Sequence, residues 1–359
     1  MASDQTRRFA RILVTRLRFI GDIILTIPVV QSLREAYPEA FIAYMGEREA
    51  VSLLSLNPYL DELIPFDASR PGFMEQTRIA RELRKRKFDL VVDLFSNPRT
   101  ALLTYLTGAP TRVGLDRKGR GRLYTVRVRD DGRPKSAVEF HQQFVTALGL
   151  TPSRELPSIT LSEEERERAR YRVQRLVPGR ISPGSGRPLV GIHPGATWPA
   201  KRWFPEKFAA LVDMVQSGLG GDVIVTGGPK DSATVRDVVR LARAEPAVTG
   251  PLSLRELAAV LGECSVFVTN DAGPMHISAA VGTPTVGLFG PGQEDIWFPY
   301  AAESGHIALR RDVPCHPCHL DVCDRPGEEH MRCMGLLGAD EVFAAVGRAL
   351  QAGPVGKSR

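Results

Sequence analysis

Residues 266–291 read VFVTNDAGPMHISAAVGTPTVGLFGP. The β-branched and aromatic run Val266–Thr269 has the composition of a short buried strand. It ends on Asn270–Asp271, and Ala272–Gly273–Pro274 turns the chain into an apolar helix, Met275–Val281. Gly282–Thr283–Pro284 makes the next tight turn, and Thr285–Phe289 is a second buried strand ending on Gly290–Pro291. Strand, helix and strand in so few residues predict a parallel βαβ unit, whose sheet must be covered on both faces.

The same rhythm runs outward in both directions. Ile12–Leu17, Phe41–Met45, Leu90–Phe95, Val190–His193 and Val223–Thr226 read as further strands. Between them, amphipathic patterns at Gly21–Tyr37, Phe73–Lys87, Pro205–Ser217, Ser232–Ala244 and Ser253–Leu261 read as helices. Ser162–Gln174 is a charge-rich helix whose Ser162 and Glu165 resemble a capping box. The pattern breaks in the Pro-, Gly- and Ser-rich stretch near 179–188, which reads as a linker. The expectation is an α/β protein of two doubly wound domains, residues 1–178 and 189–359, a division that suits a 359-residue chain.

Composition excludes several classes. The chain is 43% apolar and 25% charged, as in a globular protein, and has no apolar run of membrane-spanning length. Arg16, Arg18 and Asp22 interrupt the first apolar stretch, which is wrong for a signal peptide and places the protein in the cytoplasm. Residues 1–180 carry 31 Lys and Arg against 22 Asp and Glu, a net +9, whereas the remainder carries 16 against 19, a net −3. A basic first half suggests an anionic partner such as phosphorylated lipid, a membrane surface or nucleic acid; solvated helix faces are the plainer reading. Its densest stretch holds Arg112, Arg117, Lys118, Arg120 and Arg122. Neither a Gly-x-Gly-x-x-Gly turn nor a P-loop is present, which counts against a dehydrogenase and a P-loop NTPase.

Four strand-to-helix loops could carry chemistry, because ligands of parallel sheets bind beyond the carboxyl ends of the strands. In the first, Arg18–Phe19–Ile20–Gly21–Asp22, Gly21 permits a tight turn and close approach of the backbone to a ligand. Asp22 is either a helix cap or a general base, and the two roles can coexist. In the second, HPGATWPAKRW (193–203), the Gly195–Ala196–Thr197 turn offers N–H groups and a hydroxyl, and Lys201 offers a mobile charge for a phosphate. The third, TGGPKD (226–231), places Lys230 and Asp231 before a helix. In the fourth, Asp271, Gly273 and His276 surround a helix N-terminus, a natural anion site. The alternative there is a capping aspartate and a satisfied core histidine. The last three loops together point to a nucleotide diphosphate.

In this order and spacing, RFIGDIILTIPVVQSLR, HPGATWPAKRWFPE, TGGPKD and NDAGPMHISAAVGTPTVGLFGP resemble the ADP-heptose:lipopolysaccharide heptosyltransferase family over roughly Arg11 to Leu350. The resemblance implies the GT-B architecture, two Rossmann-like domains facing across a cleft, with the acceptor on the N-terminal domain and the nucleotide sugar on the C-terminal one. It implies a metal-independent, single-step inversion that moves heptose from ADP-heptose to the phosphorylated lipid A–core of lipopolysaccharide. No cofactor and no nucleic acid are implied, and peripheral contact with the anionic inner face of the inner membrane is. Carried over by position, Asp22 matches the general base and Lys201 the lysine that meets the diphosphate. Thr197 shares the loop of Lys201, and Asp271, Gly273 and His276 match the donor-site Asp-x-Gly-x-x-His. The ribose contact falls on Lys230 or Asp231. Gly21 is counted with the donor-binding residues, and Arg117, Lys118, Arg120 and Arg122 with the acceptor. Two other readings stay open: a transferase of the same fold using another nucleotide sugar, and a non-catalytic nucleotide- or polyanion-binding protein.

Cys315 and Cys318 form Cys-x-x-Cys, and Cys323 and Cys333 follow, with His316, His319 and His330 between. A structural zinc would suit the first pair, but nine residues separate the second. Reduced thiols in a compact loop are the default, and no metal is assigned to the active site.

Overall fold

A strand that is apolar on both faces has to be covered on both faces, and the strands at the centre of this protein meet that condition. In the computed structural model, residues 9–67, 73–178 and 187–352 are described. The chain divides into two units, Met1–Pro157 and Ser158–Arg359.

The first unit holds β1 (Arg11–Thr15), β2 (Phe41–Glu47), β3 (Glu62–Phe66), β4 (Leu90–Asp93), β5 (Thr111–Leu115) and β6 (Val126–Val128). They form one sheet in the order β3-β2-β1-β4-β5-β6, with parallel pairings throughout. Leu13, Ala43, Met45, Val91 and Leu83 share its core. The second unit holds β7 (Leu189–His193), β8 (Asp222–Val225), β9 (Ala247–Val248), β10 (Val266–Asn270), β11 (Thr285–Phe289) and β12 (Ile307–Arg310). Their order, β12-β11-β10-β7-β8-β9, is again parallel. Counted from each unit's own first strand, both sheets have the doubly wound order 3-2-1-4-5-6. The order reverses between β1 and β4 in one unit and between β7 and β10 in the other. At that point neighbouring loops leave in opposite directions and open a crevice.

Two expectations change. The helix Glu163–Leu176, assigned to the first domain from sequence, belongs to the second unit. Its capping box forms as expected, with Ser162 Oγ accepting from the Glu165 N–H at 3.2 Å. Only Ala169 and Val173 of this helix are buried. It is held instead by ion pairs to the helix Leu254–Gly262: Arg255 with Glu165, and Arg172 with Glu256 at 3.2 Å. The Ile159 N–H also donates to Ala280 O at 2.8 Å. The chain therefore enters the second unit about twenty residues before the expected linker, of which residues 179–186 lie outside the described residues. The expected helix Gly21–Tyr37 is two helices, Ile20–Leu25 and Ile27–Ala36, because Pro28 supplies no N–H near the start of the second.

Gly191 lies in the middle of β7, where a Cβ would sit 2.8 Å from Phe267 Cδ2 and 2.9 Å from Cys264 Sγ. Both neighbours are buried and have little room to give way. Gly191→Ala should therefore destabilise the protein by about 1–3 kcal/mol through overpacking. An unchanged denaturation midpoint would show that β7 and β10 pack less tightly than described.

Candidate active site

At the switch point of the second unit, the loop after β7 is shaped by a residue of β10. The fully buried Asn270 donates from Nδ2 to Pro194 O (2.9 Å) and Gly195 O (3.2 Å), and its Oδ1 accepts from the Trp203 N–H (3.0 Å). Trp203 is buried, gives its indole N–H to Leu337 O at 3.1 Å and meets Phe208 edge-on. One side chain thus clamps both ends of the segment that carries Lys201. Sequence reasoning passed over this role, although an amide at the end of a buried strand next to a loop was a visible signal.

Lys201 Nζ lies 2.5 Å from Asp271 Oδ2 and 4.6 Å above the Trp198 ring. A Cβ on Gly292 would come within 2.5 Å of the same Asp271 oxygen and 3.8 Å of Lys201 Nζ, so Gly292 also borders this spot. Asp271 precedes the helix Gly273–Ala280, whose N-terminus favours negative charge. His276, in the first turn, shares a hydrogen bond between its Nδ1 and Tyr300 OH at 2.9 Å. Burial, helped by the nearby Lys201 charge, pushes its pKa down to about 3, so the ring is neutral at physiological pH. A neutral imidazole that accepts from Tyr300 at Nδ1 carries its proton on Nε2 and can donate to an anion.

The loop after β8 adds a second carboxylate. Asp231 Oδ2 accepts from the Gly228 N–H at 2.9 Å and lies 3.6 Å from His193 Nε2. His193 Nδ1 in turn meets Thr226 Oγ1 at 3.0 Å, and burial lowers the His193 pKa against the pull of Asp231. A Cβ on Gly195 would fall 2.2 Å from Asp231 Cγ, so only glycine lets the loops after β7 and β8 come this close. Lys201, Asp271, Gly273 and His276 are therefore grouped, with Asp231 on the adjoining loop. Thr197 and Lys230 lie exposed on the loops after β7 and β8.

The first unit holds the other predicted residues. Asp22 is nearly buried and is the third residue of its helix, not the residue before it. Its Oδ2 accepts from the Phe19 N–H at 3.2 Å and its Oδ1 pairs with Arg16. Arg16 also donates to Leu94 O at 3.1 Å and covers the Phe95 ring. Gly21 lies inside the helix at an ordinary backbone angle, and residues 16–19 make the turn instead. Gly21 belongs to the first unit, whereas the loops after β7, β8 and β10 belong to the second. Arg117, Lys118 and Arg122 are exposed beyond β5, while Arg120 donates from Nε to Ser96 O at 3.2 Å. Arg112 turns inward to Leu123 O and Ala109 O. Arginines also follow β1, β2 and β4, as Arg16, Arg18, Arg48 and Arg99, a pattern that a one-dimensional charge count does not show.

Cys315, Cys318, Cys323 and Cys333 line one cavity of about 20 Å³ and are free thiols. Burial pushes the Cys333 thiol up to about 11, and Cys323 Sγ accepts from the Met331 N–H at 3.3 Å. Among the described residues no group of three or more His, Cys, Asp or Glu is arranged to hold a metal ion.

Two Rossmann-ordered sheets in one chain, with polar residues gathered at each switch point, define the GT-B class of glycosyltransferase fold. The profile of glycosyltransferase family 9 (heptosyltransferase) matches residues 76–326, and the chain belongs to that family. It is 27% identical over 357 residues to lipopolysaccharide heptosyltransferase 3 of Escherichia coli, a match spanning 95% of this chain and 100% of that one. It is 28% identical over 315 residues to lipopolysaccharide heptosyltransferase 2 of Salmonella typhimurium, spanning 83% and 88%. Among solved structures, the family 9 glycosyl transferase of Veillonella parvula superposes with a TM-score of 0.81 at 28% identity, over 96% of this chain and 98% of that one. The ADP-heptose lipopolysaccharide heptosyltransferase II of E. coli shares the fold, with a TM-score of 0.76 at 23% identity over 95% and 98%. The protein is a glycosyltransferase.

The buried histidines make stability depend on pH. His141 and His276 are depressed to about 3 and His306 to about 4, in each case mainly by burial. The unfolded chain binds their protons below about pH 6.5, while the folded chain does so only near pH 3–4. Their contribution is thus complete above pH 6.5 and is lost as the pH falls through that window. Each should remove about 1.4 kcal/mol per pH unit. Urea denaturation at pH 7, 6 and 5 should show a progressive fall, and a flat profile would mean that these rings titrate like free histidine.

Proposed function

We propose that this glycosyltransferase moves heptose from ADP-heptose to the phosphorylated inner core of lipopolysaccharide, with inversion at the anomeric carbon and no metal ion. The observation that carries the reading is the division of charge between the two switch points. A nearly buried carboxylate, Asp22, stands at one, and Lys201 with a helix N-terminus stands at the other. The names of the relatives, lipopolysaccharide heptosyltransferases, supply the sugar and the acceptor.

The chemistry divides accordingly. The acceptor hydroxyl attacks the anomeric carbon and gives its proton to Asp22, which Arg16 and the Phe19 N–H orient. The bond from that carbon to the diphosphate oxygen breaks on the opposite side, and ADP leaves. Lys201, held by Asp271, and the N–H groups at the head of the Gly273–Ala280 helix stabilise the charge that gathers on the diphosphate. These groups supply the positive charge that a metal would otherwise bring. His276 donates to the same phosphates, and Asp231 takes ribose hydroxyls, with Thr197 and Lys230 completing the donor side. Arg18, Arg48, Arg99 and the basic segment beyond β5 receive the acceptor's phosphates and approach the anionic inner face of the inner membrane. The protein acts in the cytoplasm. Among the described residues no helix is long and apolar enough to cross a membrane.

Turnover tests the reading directly. The enzyme should release ADP from ADP-heptose only when a core acceptor is present, and Asp22→Asn should lower kcat by about 10²–10⁴ while ADP affinity stays within a few-fold. Faster turnover of another nucleotide sugar would replace heptose as the donor, and wild-type kcat in Asp22→Asn would leave Asp22 as a helix cap.

Charge reversal at Arg117 and Arg122 should raise the acceptor KM and leave the donor KM alone. The wild-type acceptor KM should rise with salt, because exposed charges are screened beyond about 8–10 Å at physiological ionic strength. A delipidated but still phosphorylated acceptor separates phosphate recognition from membrane recruitment. If variant and wild type then share one KM and one salt response, the segment does not read acceptor phosphates.

A further inference from the structure

Asp93 is a fully buried carboxyl group that the reaction above does not use. It ends β4, directly beside Thr15 at the end of β1, and so stands at the switch point of the first unit. Its Oδ1 accepts from Thr15 Oγ1 (3.1 Å), the Phe95 N–H (3.2 Å) and the Ser96 N–H (2.9 Å), and its Oδ2 accepts from Tyr124 OH (2.7 Å). Burial raises its pKa, against the hydrogen bonds from Ser96, Tyr124, Thr100 and Thr15, and no cation is among the causes of that shift. A carboxyl group buried in this way is costly unless its donors are held in place.

Those donors fold a tight turn. Ser96 takes a left-handed angle, φ +50°, and its hydroxyl donates to Asp93 O at 2.7 Å while accepting from the Leu115 N–H at 2.9 Å. Tyr124 reaches Asp93 by lying across Gly114, where a Cβ would sit 2.2 Å from the ring. The turn then presents two carbonyls to two arginines. Leu94 O accepts from Arg16, the partner of Asp22, and Ser96 O accepts from Arg120 of the basic segment.

We propose that Asp93 is a positioning residue for the acceptor side of the reaction: by folding the 94–96 turn it sets Arg16, and through it Asp22, together with Arg120. The proposal rests on the assignment of Asp22 as base and of the basic segment to the acceptor. One buried aspartate then places the group that takes the proton and a group that binds the substrate losing it.

Tyr124→Phe removes one oxygen and keeps the ring, and Asp93→Asn keeps the size and an acceptor for the turn. Kinetics would be measured with ADP-heptose and a purified phosphorylated core acceptor, together with calorimetric ADP affinity and Tm. Tyr124→Phe should lower kcat/KM for the acceptor by about 10-fold, since small misplacements of reacting groups are costly, with ADP affinity unchanged. Asp93→Asn should retain more activity than Asp93→Ala. If Tyr124→Phe lowers Tm but keeps the wild-type kcat/KM, Asp93 is part of the fold only and the proposal fails. Asp22→Asn and Arg120→Ala run alongside separate the two failures. Wild-type constants in both would overturn the acceptor assignment and this proposal with it. Losses in both beside an unaffected Tyr124→Phe would overturn this proposal alone.

Discussion

In a parallel sheet every strand ends on the same edge, so every loop that follows a strand opens on that edge. Both sheets here are wholly parallel and share one strand order, which leaves each with a single switch point where neighbouring loops part. The residues assigned to chemistry gather there: Asp22 and the turn after Asp93 in the first unit, Lys201 and Asp271 in the second. Backbone direction alone brings residues seventy or more positions apart to one place. The apolar interiors on both faces of each sheet keep that edge in register.

The second constraint is the cost of burying polar groups without partners. Asn270, Asp93 and His193 are all buried, and each is met by hydrogen bonds from a neighbouring loop. Such groups add little net stability, because folding exchanges one set of hydrogen bonds for another. They do penalise every arrangement in which a partner is missing. Loops that would otherwise sample many conformations are therefore held in place at the carboxyl edge of each sheet.

Much of this was legible in one dimension. The central strands were visible because burial on both faces makes them continuous apolar runs, as in Val266–Thr269 and Val223–Thr226. The strands β3, β5, β6, β9 and β12 were not. Thr111–Leu115 carries Arg112, Val126–Val128 has three residues and Ala247–Val248 two, so neither length nor periodicity marks them. The helix Glu163–Leu176 misled because few apolar residues define its face, and its place depends on the arginines and glutamates of a helix ninety residues away. Gly21 misled in another way, since a glycine before an aspartate suggests a turn, and the chain had already turned at residues 16–19.

The order of short-range signals was enough to determine the class of fold and the two-unit plan, and to nominate most of the candidate residues. Strand composition, Gly–Pro punctuation and the polar residues after each strand are local properties of the chain. Which of those residues meet was decided only by tertiary structure. The pairing of Lys201 with Asp271, the approach of Asp231 to Gly195 and the link from Asp93 through Ser96 to Arg120 all join segments distant in sequence. Their proximity follows from strand order and close packing, and neither is a property of any local stretch of residues.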